Sequence, residues 1–336
     1  MTLQRPSAVV TLDGRRLTSA EGALLRLRVR LGMGPAHDAV ELFCWPSSKL
    51  GAASVGSAAV VALGTSGSEE DVWTGEITGV RLTPDGISLE GLAGTVALSR
   101  TFVSQSFVSV SVADVVRQLA SAAGVDVDEV SGDTSLSSYA ADNRRSAWAH
   151  INDLAALVGA DVTASESGAL KFISPAAGGS AGALGGAVAD ASALLGGGAG
   201  LRYGANLLEW RARTRALPGT LGVAAYGSGS ESGSEKWHWL RGTVDAVGDG
   251  PVRLAPAAHT RDAATALSEA IATRAKRATR RTDVLVVGDA TIRPGQTTTI
   301  SDIPGDAGGD LRVVAVEHLL DGDLGFVSRL TVEAAA

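Results

Sequence analysis

Between residues 8 and 98, apolar and polar positions alternate at the two-residue period of strands. Residues 8–12 form an apolar run that ends at the Asp13-Gly14 turn. Across 24–31, Leu25, Leu27, Val29 and Leu31 interleave with Arg26, Arg28 and Arg30, which predicts a half-buried strand. Short apolar strands are predicted at 40–45 and 58–63, closed by Pro46 and Gly64. A hairpin is predicted over 72–83 and 87–92, turning at Pro84-Asp85-Gly86. Several short strands with such punctuation point to a small barrel or sandwich.

After Val108 the period lengthens. Ser111 is placed to cap a helix with Asp114 three residues on, favourable at the positive helix end. Val112, Val115, Val116 and Leu119 then share one face, and Gly124 stops the helix. A second helix is predicted from Ser146, with Trp148, Ile151, Leu154, Ala155 and Val158 on one face and Gly159 at its end. A hairpin over 161–164 and 169–173 completes a compact α+β unit. Residues 176–200 are almost entirely Gly, Ala, Ser and Leu, the composition of a flexible connector, with a short helix expected near 187–195. Strands return at 207–213, 221–226 and 237–240. A helix is predicted over 262–277 from the spacing of Ala263, Leu267, Ala270, Ile271 and Arg274. The last strands are predicted at 284–287, 297–300, 311–319 and 326–333.

The ends of the two strand-rich regions share an order of parts. A short strand at 60–63, a polar loop, a long strand at 72–83, a turn and a strand at 87–92 are echoed by 297–300, 311–320 and 326–332. The likeness is of pattern, not of residues. It implies two copies of one β domain with an α+β insert between them.

Composition narrows the function classes. The chain has 336 residues, enough for two or three domains. Its 45% hydrophobic content and mean hydropathy of +0.17 point to surface covered by partners. With 29 basic against 36 acidic residues the net charge is −7, so specific nucleic-acid binding is not expected. The lone Cys44 sits in an apolar run, which rules out an internal disulfide and a four-cysteine zinc site and predicts a buried thiol. No secretory signal and no membrane-spanning run is expected.

Catalytic motifs are weak. His37, His150, His238, His259 and His318 are isolated, with no helical metal-ligand pair, and read as structural or surface residues. Residues 178–182 match G-x-S-x-G, but inside a Gly/Ala tract where the string arises by composition. Glu69, Glu70 and Asp71 could supply glycosidase carboxylates, yet read as a solvated loop. The basic group Arg274, Lys276, Arg277, Arg280 and Arg281 either complements its own helix dipole or contacts phosphates or an acidic partner.

Three stretches carry a family resemblance. Leu98-Ser99-Arg100-Thr101-Phe102 leads into the helix 112–120 with sequence VADVVRQLA. Asn143-Arg144-Arg145-Ser146-Ala147-Trp148 opens the second helix. The basic helix ending at Arg281 is followed by Ile292-Arg293-Pro294-Gly295-Gln296 and the closing hairpin. In this order they resemble the phage late-control gene D and tail-hub family, related to the hub part of type VI secretion spike proteins.

The resemblance implies an α+β, mainly β fold, with two tube-protein-like β-barrel domains flanking an α+β insert. The barrels would occupy 1–98 and 206–336, the second carrying the helix 262–277. The insert would be 99–175 and the Gly/Ala-rich connector 176–205. The implied role is structural and non-enzymatic, without a cofactor or metal. A homotrimeric ring would join a sixfold tail tube protein to a threefold spike among other baseplate proteins. Such a ring would lie in a virion tail or injection-particle baseplate assembled in the bacterial cytoplasm, without a membrane anchor. Because the sequence ends at Ala336 just after the last strand, a separate spike protein is implied. Ala147 departs from the aromatic-rich form of the second motif. Two other readings stay open: a tail-associated peptidoglycan hydrolase with converging carboxylates or a metal, and a β-rich adhesin using the six dispersed tryptophans.

Overall fold

The computed structural model describes residues 5–132, 134–173, 200–216, 224–229, 238–243, 261–304 and 307–335. The first region contains β1 (Pro6–Leu12), β2 (Arg15–Thr18), β3 (Leu24–Gly32), β4 (Ala39–Cys44), β5 (Ala58–Thr65), β6 (Ser68–Thr83) and β7 (Gly86–Ala93). Alternation places them as the sequence implies, except β2, a short strand where none is predicted. Leu27, Val29 and Leu31 of β3 are buried while Arg26 and Arg30 face solvent. Cys44 is buried and unpaired. One expectation fails: Glu69, Glu70 and Asp71 lie in β6, opposite Gly64, Leu63 and Ala62, and not in a loop. The apolar run of β5 continues to the turn at Ser66-Gly67, so its partner must begin at Ser68 to complete the ladder.

The insert contains α1 (Val96–Arg100), β8 (Gln105–Ser111), α2 (Val112–Ala122), β9 (Val127–Val130), β10 (Ser135–Ala141), α3 (Ala147–Val158), β11 (Asp161–Ala164) and β12 (Leu170–Ile173). Both predicted caps form. The Ser111 hydroxyl accepts the Asp114 N–H at 3.1 Å, and the Ser146 hydroxyl accepts the Ala149 N–H at 3.3 Å. Gly159 ends α3 in the left-handed conformation. Val115, Val116 and Leu119 share a separate core with Ile151, Leu154 and Phe172. Three strands here were not expected from sequence. β8 and β10 are serine-rich, and β9 is almost wholly exposed, so hydrophobic alternation is faint.

The last region contains β13 (Gly200–Arg202), β14 (Leu207–Thr214), β15 (Ala224–Gly229), β16 (His238–Thr243), α4 (Arg261–Ala278), β17 (Arg280–Val287), β18 (Thr297–Ser301), β19 (Gly309–Asp321) and β20 (Gly325–Ala334). The tract 176–199, with its expected short helix, lies outside the described residues, as does residue 237 of the strand expected at 237–240.

The two strand-rich regions repeat one plan. Spatial order is β1-β5-β6-β7-β4-β3 in the first module and β13-β18-β19-β20-β17-β14 in the second, with the same chain order in each. The irregularities coincide too. A bulge follows the first residue of β3 at Leu24/Arg26 and of β14 at Leu207/Glu209. Another interrupts β6 at Ile77/Gly79 and β19 at Val313/Ala315, facing equivalent partners on β7 and β20. Before β5 and β18 a turn that bonds to the middle strand repeats bond for bond. The Gly56 N–H donates to the Ile77 carbonyl at 2.8 Å, and the Gly295 N–H donates to that of Val313 at 2.8 Å. Both glycines have φ of +93°, a conformation that L-residues with a side chain rarely adopt. Once registered this way, LLRLRVRLG at 24–32 matches LLEWRARTR at 207–215 at four of nine positions. The modules differ at one edge: β1 is antiparallel to β5, whereas β13 is parallel to β18.

Candidate interaction surface

The modules are fused where β19 changes neighbours. Its first residues, 309–312, pair with β18, and residues 315–321 pair with β3, making one 13-stranded sheet. The joint is antiparallel, with Glu317 opposite Arg30, His318 opposite Val29 and Leu319 opposite Arg28. Glu317 takes Arg28 at 3.1 Å and Arg329 at 2.9 Å, and Glu41 binds both Arg28 (3.4 Å) and Arg30. The three arginines that alternate along β3 thus have a purpose besides facing water: two of them are neutralised at this seam.

On the inner side of the seam His318 is fully buried, its Nδ1 2.8 Å from the Ser328 hydroxyl. Burial, with Arg293 nearby, pushes its pKa down to about 3, so the ring is neutral. Close by, burial pushes the Asp38 carboxyl up to about 7, although the Gly32 and Ala164 N–H groups hold it down. Its Oδ1 accepts the Gly32 N–H at 2.8 Å, fixing the end of β3 to the start of β4.

Two side chains at equivalent positions of the middle strands reach the insert. Glu76 binds Arg100 of α1 at 2.5 Å, and Arg312 binds Asp161 of β11 as well as Glu333 at 3.2 Å. Burial lowers the pKa of Arg312, which Glu333 counteracts. The insert is therefore clamped from both modules.

The sequence-derived candidates do not converge. His37 packs on Trp148 with ring centroids 4.4 Å apart and bonds Thr95 and Ser99. His150 uses both ring nitrogens, on the Tyr139 hydroxyl at 2.9 Å and the Asp142 carbonyl at 3.0 Å. His150 and Tyr139 line a groove of about 430 Å³ with Asp142, Arg145 and Asp153. Asp142 pairs with Arg144, and Asp153 with Arg145, so hydrogen-bonding capacity there is largely used. His259 and the tract 178–182 lie outside the described residues. No group of His, Cys, Asp and Glu able to hold a metal occurs among the described residues, and no helix there is long and apolar enough to cross a membrane.

The basic group at the end of α4 is divided: Lys276 and Arg277 sit in the last turn of their own helix, and the other three arginines go elsewhere. Arg274 donates to the carbonyls of Ala155 (2.9 Å), Ala160 (3.3 Å) and Ala156 (3.4 Å), closing the C-terminal end of α3. Arg280 donates to the Gly308 carbonyl. Arg281 instead lines a cleft with Arg213, Arg215, Asp283 and Glu333 beside β14.

Among the open edges of the described strands, two belong to equivalent parts of the module-to-module joint. β14 pairs only with β17, and the outer half of β6, beyond Glu76, pairs only with β7. Large apolar side chains are exposed on both: Leu82 at 70% and Leu208 at 45%. An open edge with exposed apolar residues is a template for strand addition.

No family model matches the chain, and no curated protein matches its sequence. Solved structures match it along nearly its whole length, and they define a fold class, that of phage tail proteins. The tail protein from Neisseria meningitidis MC58 superposes with a TM-score of 0.73 at 12% identity, covering 98% of this chain and 97% of that one. The 43 kDa tail protein of prophage MuSo2 from Shewanella oneidensis gives 0.72 at 14% identity, covering 97% and 98%. A component of the E. coli type VI secretion system, described as similar to the T4 tail proteins gp27 and gp5, gives 0.58 at 10% identity, covering 93% and 74%. The mainly β fold with its α+β insert, and the resemblance to tail-hub proteins, are borne out at the level of fold.

Proposed function

We propose that this chain is a structural hub of a phage tail or contractile injection system. Three copies would form a ring that joins a sixfold tube to a threefold spike. The observation that carries the reading is the duplicated module. One chain bears two copies of a six-stranded unit with coincident bulges and turns, so three chains present six near-equivalent units on a threefold frame. Likeness over nearly the full length to two phage tail proteins supports the same role. Each module is proposed to close as a tube-protein-like barrel in the ring, with the insert, roughly 99–175, standing outside it.

No catalytic step is assigned to this role. The chain works by burying edges and apolar surface against copies of itself, a tube protein, a separate spike and other baseplate proteins. The test is mass. Light scattering and electron microscopy of the purified chain, alone and with tube and spike proteins from the same gene neighbourhood, are expected to give a trimeric ring. A monomer that persists in the presence of those partners would remove the hub reading.

A further inference from the structure

The chain contains a solved example of how one module attaches to the next. β3, the edge strand of the first module, pairs with the outer half of β19, the middle strand of the second. The equivalent parts that remain unpaired are β14, the edge strand of the second module, and the outer half of β6, the middle strand of the first. We infer that β14 of one copy adds to residues 79–83 of β6 in a second copy of this chain, repeating the β3–β19 joint between molecules. This rests on the trimeric hub reading and deepens it, since it names the strands that close the ring.

The register follows from the shared bulges. Gly79, Val80, Arg81, Leu82 and Thr83 hold the places of Ala315, Val316, Glu317, His318 and Leu319. Arg211, Ala212, Arg213 and Thr214 hold those of Arg28, Val29, Arg30 and Leu31. Leu82 therefore faces Ala212, and Arg81 faces Arg213.

Backbone phase agrees on both sides. Alternate residues of an antiparallel strand turn their N–H and C=O to opposite neighbours. In the internal joint the Met33 N–H donates to the Val314 carbonyl at 3.0 Å, so Val316 and His318 also point their backbone at β3. Val80 and Leu82 occupy those two places. On β14 the Arg215 N–H donates to the Thr279 carbonyl at 2.7 Å, toward β17, which turns Ala212 and Thr214 outward. Val80 would then exchange hydrogen bonds with Thr214, and Leu82 with Ala212.

Burial points the same way. At the place where His318 is 0% exposed under β3, Leu82 is 70% exposed.

Charge does not repeat. Glu317 faces Arg30 inside the chain, whereas Arg81 would face Arg213, with Glu90 3.8 Å from Arg81 and Asp283 opposite Arg211. Like charges directly opposite weaken a strand pair. The joint between copies is thus weaker than the internal one, and Arg81→Glu, which restores the acid found at 317, tightens it.

The experiment uses the full chain. Arg81→Cys with Arg213→Cys places two thiols on a closely spaced cross-strand pair and is expected to oxidise to a covalently closed trimer, while either single variant does not. Arg81→Glu is expected to lower the concentration at half-association roughly tenfold. Leu82→Pro removes an outward N–H without touching the β6–β7 ladder, and is expected to abolish association while the circular dichroism spectrum stays native. A trimer that forms without the Arg81–Arg213 cross-link, or that survives Leu82→Pro, overturns this joint and leaves the hub reading intact. Wild type and Arg81→Glu that both stay monomeric at every concentration overturn the joint, and the hub reading then stands or falls on its own test with tube and spike proteins.

Discussion

The first module is short and continuous, while the second is opened between β14 and β17 by β15, β16 and α4. Both nonetheless keep the same two bulges, the same left-handed glycine and the same strand order. What survives duplication here is backbone geometry, because a bulge or a positive-φ turn sets register for every residue after it. Side chains drift around that frame, and the drift records what each copy touches.

The position held by Glu76 and Arg312 is the sharpest case. Charge is reversed, yet both side chains leave the sheet to bind the insert. Their surroundings differ: Glu76 and Arg100 are 31% and 58% exposed, Arg312 and Asp161 only 13% and 21%. Arg312→Ala leaves Asp161 and Glu333 without their cation in a partly dry site and is expected to cost about 3–5 kcal/mol. Glu76→Ala opens a solvated pair and is expected to cost less than about 1 kcal/mol. Urea unfolding of the two variants measures the contrast. Equal costs would mean that the insert is held by apolar packing and not by these clamps.

A second contrast lies across the hairpins, where Leu82 faces Ile87 in one module and His318 faces Ser328 in the other. The buried imidazole takes a proton only near pH 3, whereas in the unfolded chain it does so near 6.5. The stability it preserves is complete above pH 6.5 and is lost as pH falls toward 3, by about 1.4 kcal/mol per pH unit. Between pH 6.5 and 4.5 the wild type should lose roughly 2 kcal/mol through this group. His318→Leu with Ser328→Ile copies the first module and should flatten that slope in thermal unfolding across the range. An unchanged slope would place the acid sensitivity elsewhere.

Asp38 acts with the opposite sign. Its carboxyl ionises near pH 4 when unfolded but near 7 when buried, so the fold loses stability as pH rises from about 4 through 7. Asp38→Asn keeps an acceptor for the Gly32 N–H and removes the charge. The amide nitrogen needs a partner of its own, so the expected net gain at pH 8 is only about 1–3 kcal/mol, vanishing near pH 4. Unfolding curves at the two pH values measure it, and a variant weaker than wild type at pH 8 would mean that the ionised carboxylate is the stabilising form.

Much of this was legible in the chain, and what was not has a physical cause. Alternation located β3, β4, β7 and the closing hairpin, and Ser111 and Ser146 announced the starts of α2 and α3. The repeat was visible only as an order of parts, since four shared residues in 24–32 and 207–215 emerge only after the bulges are aligned. The β3–β19 joint left no local mark, because pairing Val29 with His318 is a decision of the whole fold. Arg274 misled for the same reason: its proximity in sequence to its own helix end was plain, and its contact with carbonyls of α3 was not.

The smallest expected effect tests whether the two copies are energetically as well as geometrically equivalent. Gly56 and Gly295 share a φ of +93°, the same pair of backbone bonds to the middle strand, and open space where a Cβ would stand. A methyl group at either place meets no neighbour, so only backbone strain, less the entropy that alanine removes from the unfolded chain, enters the difference. Each Gly→Ala change should cost about 1 kcal/mol, and the double variant about 2, because the sites are separate and share no partner. If Gly295→Ala proves costly and Gly56→Ala free in denaturant titrations, the first turn relaxes where the second cannot. The modules would then be alike in shape but unequal in rigidity, and β18, which begins at Thr297, would be held in tighter register than β5, which begins at Ala58.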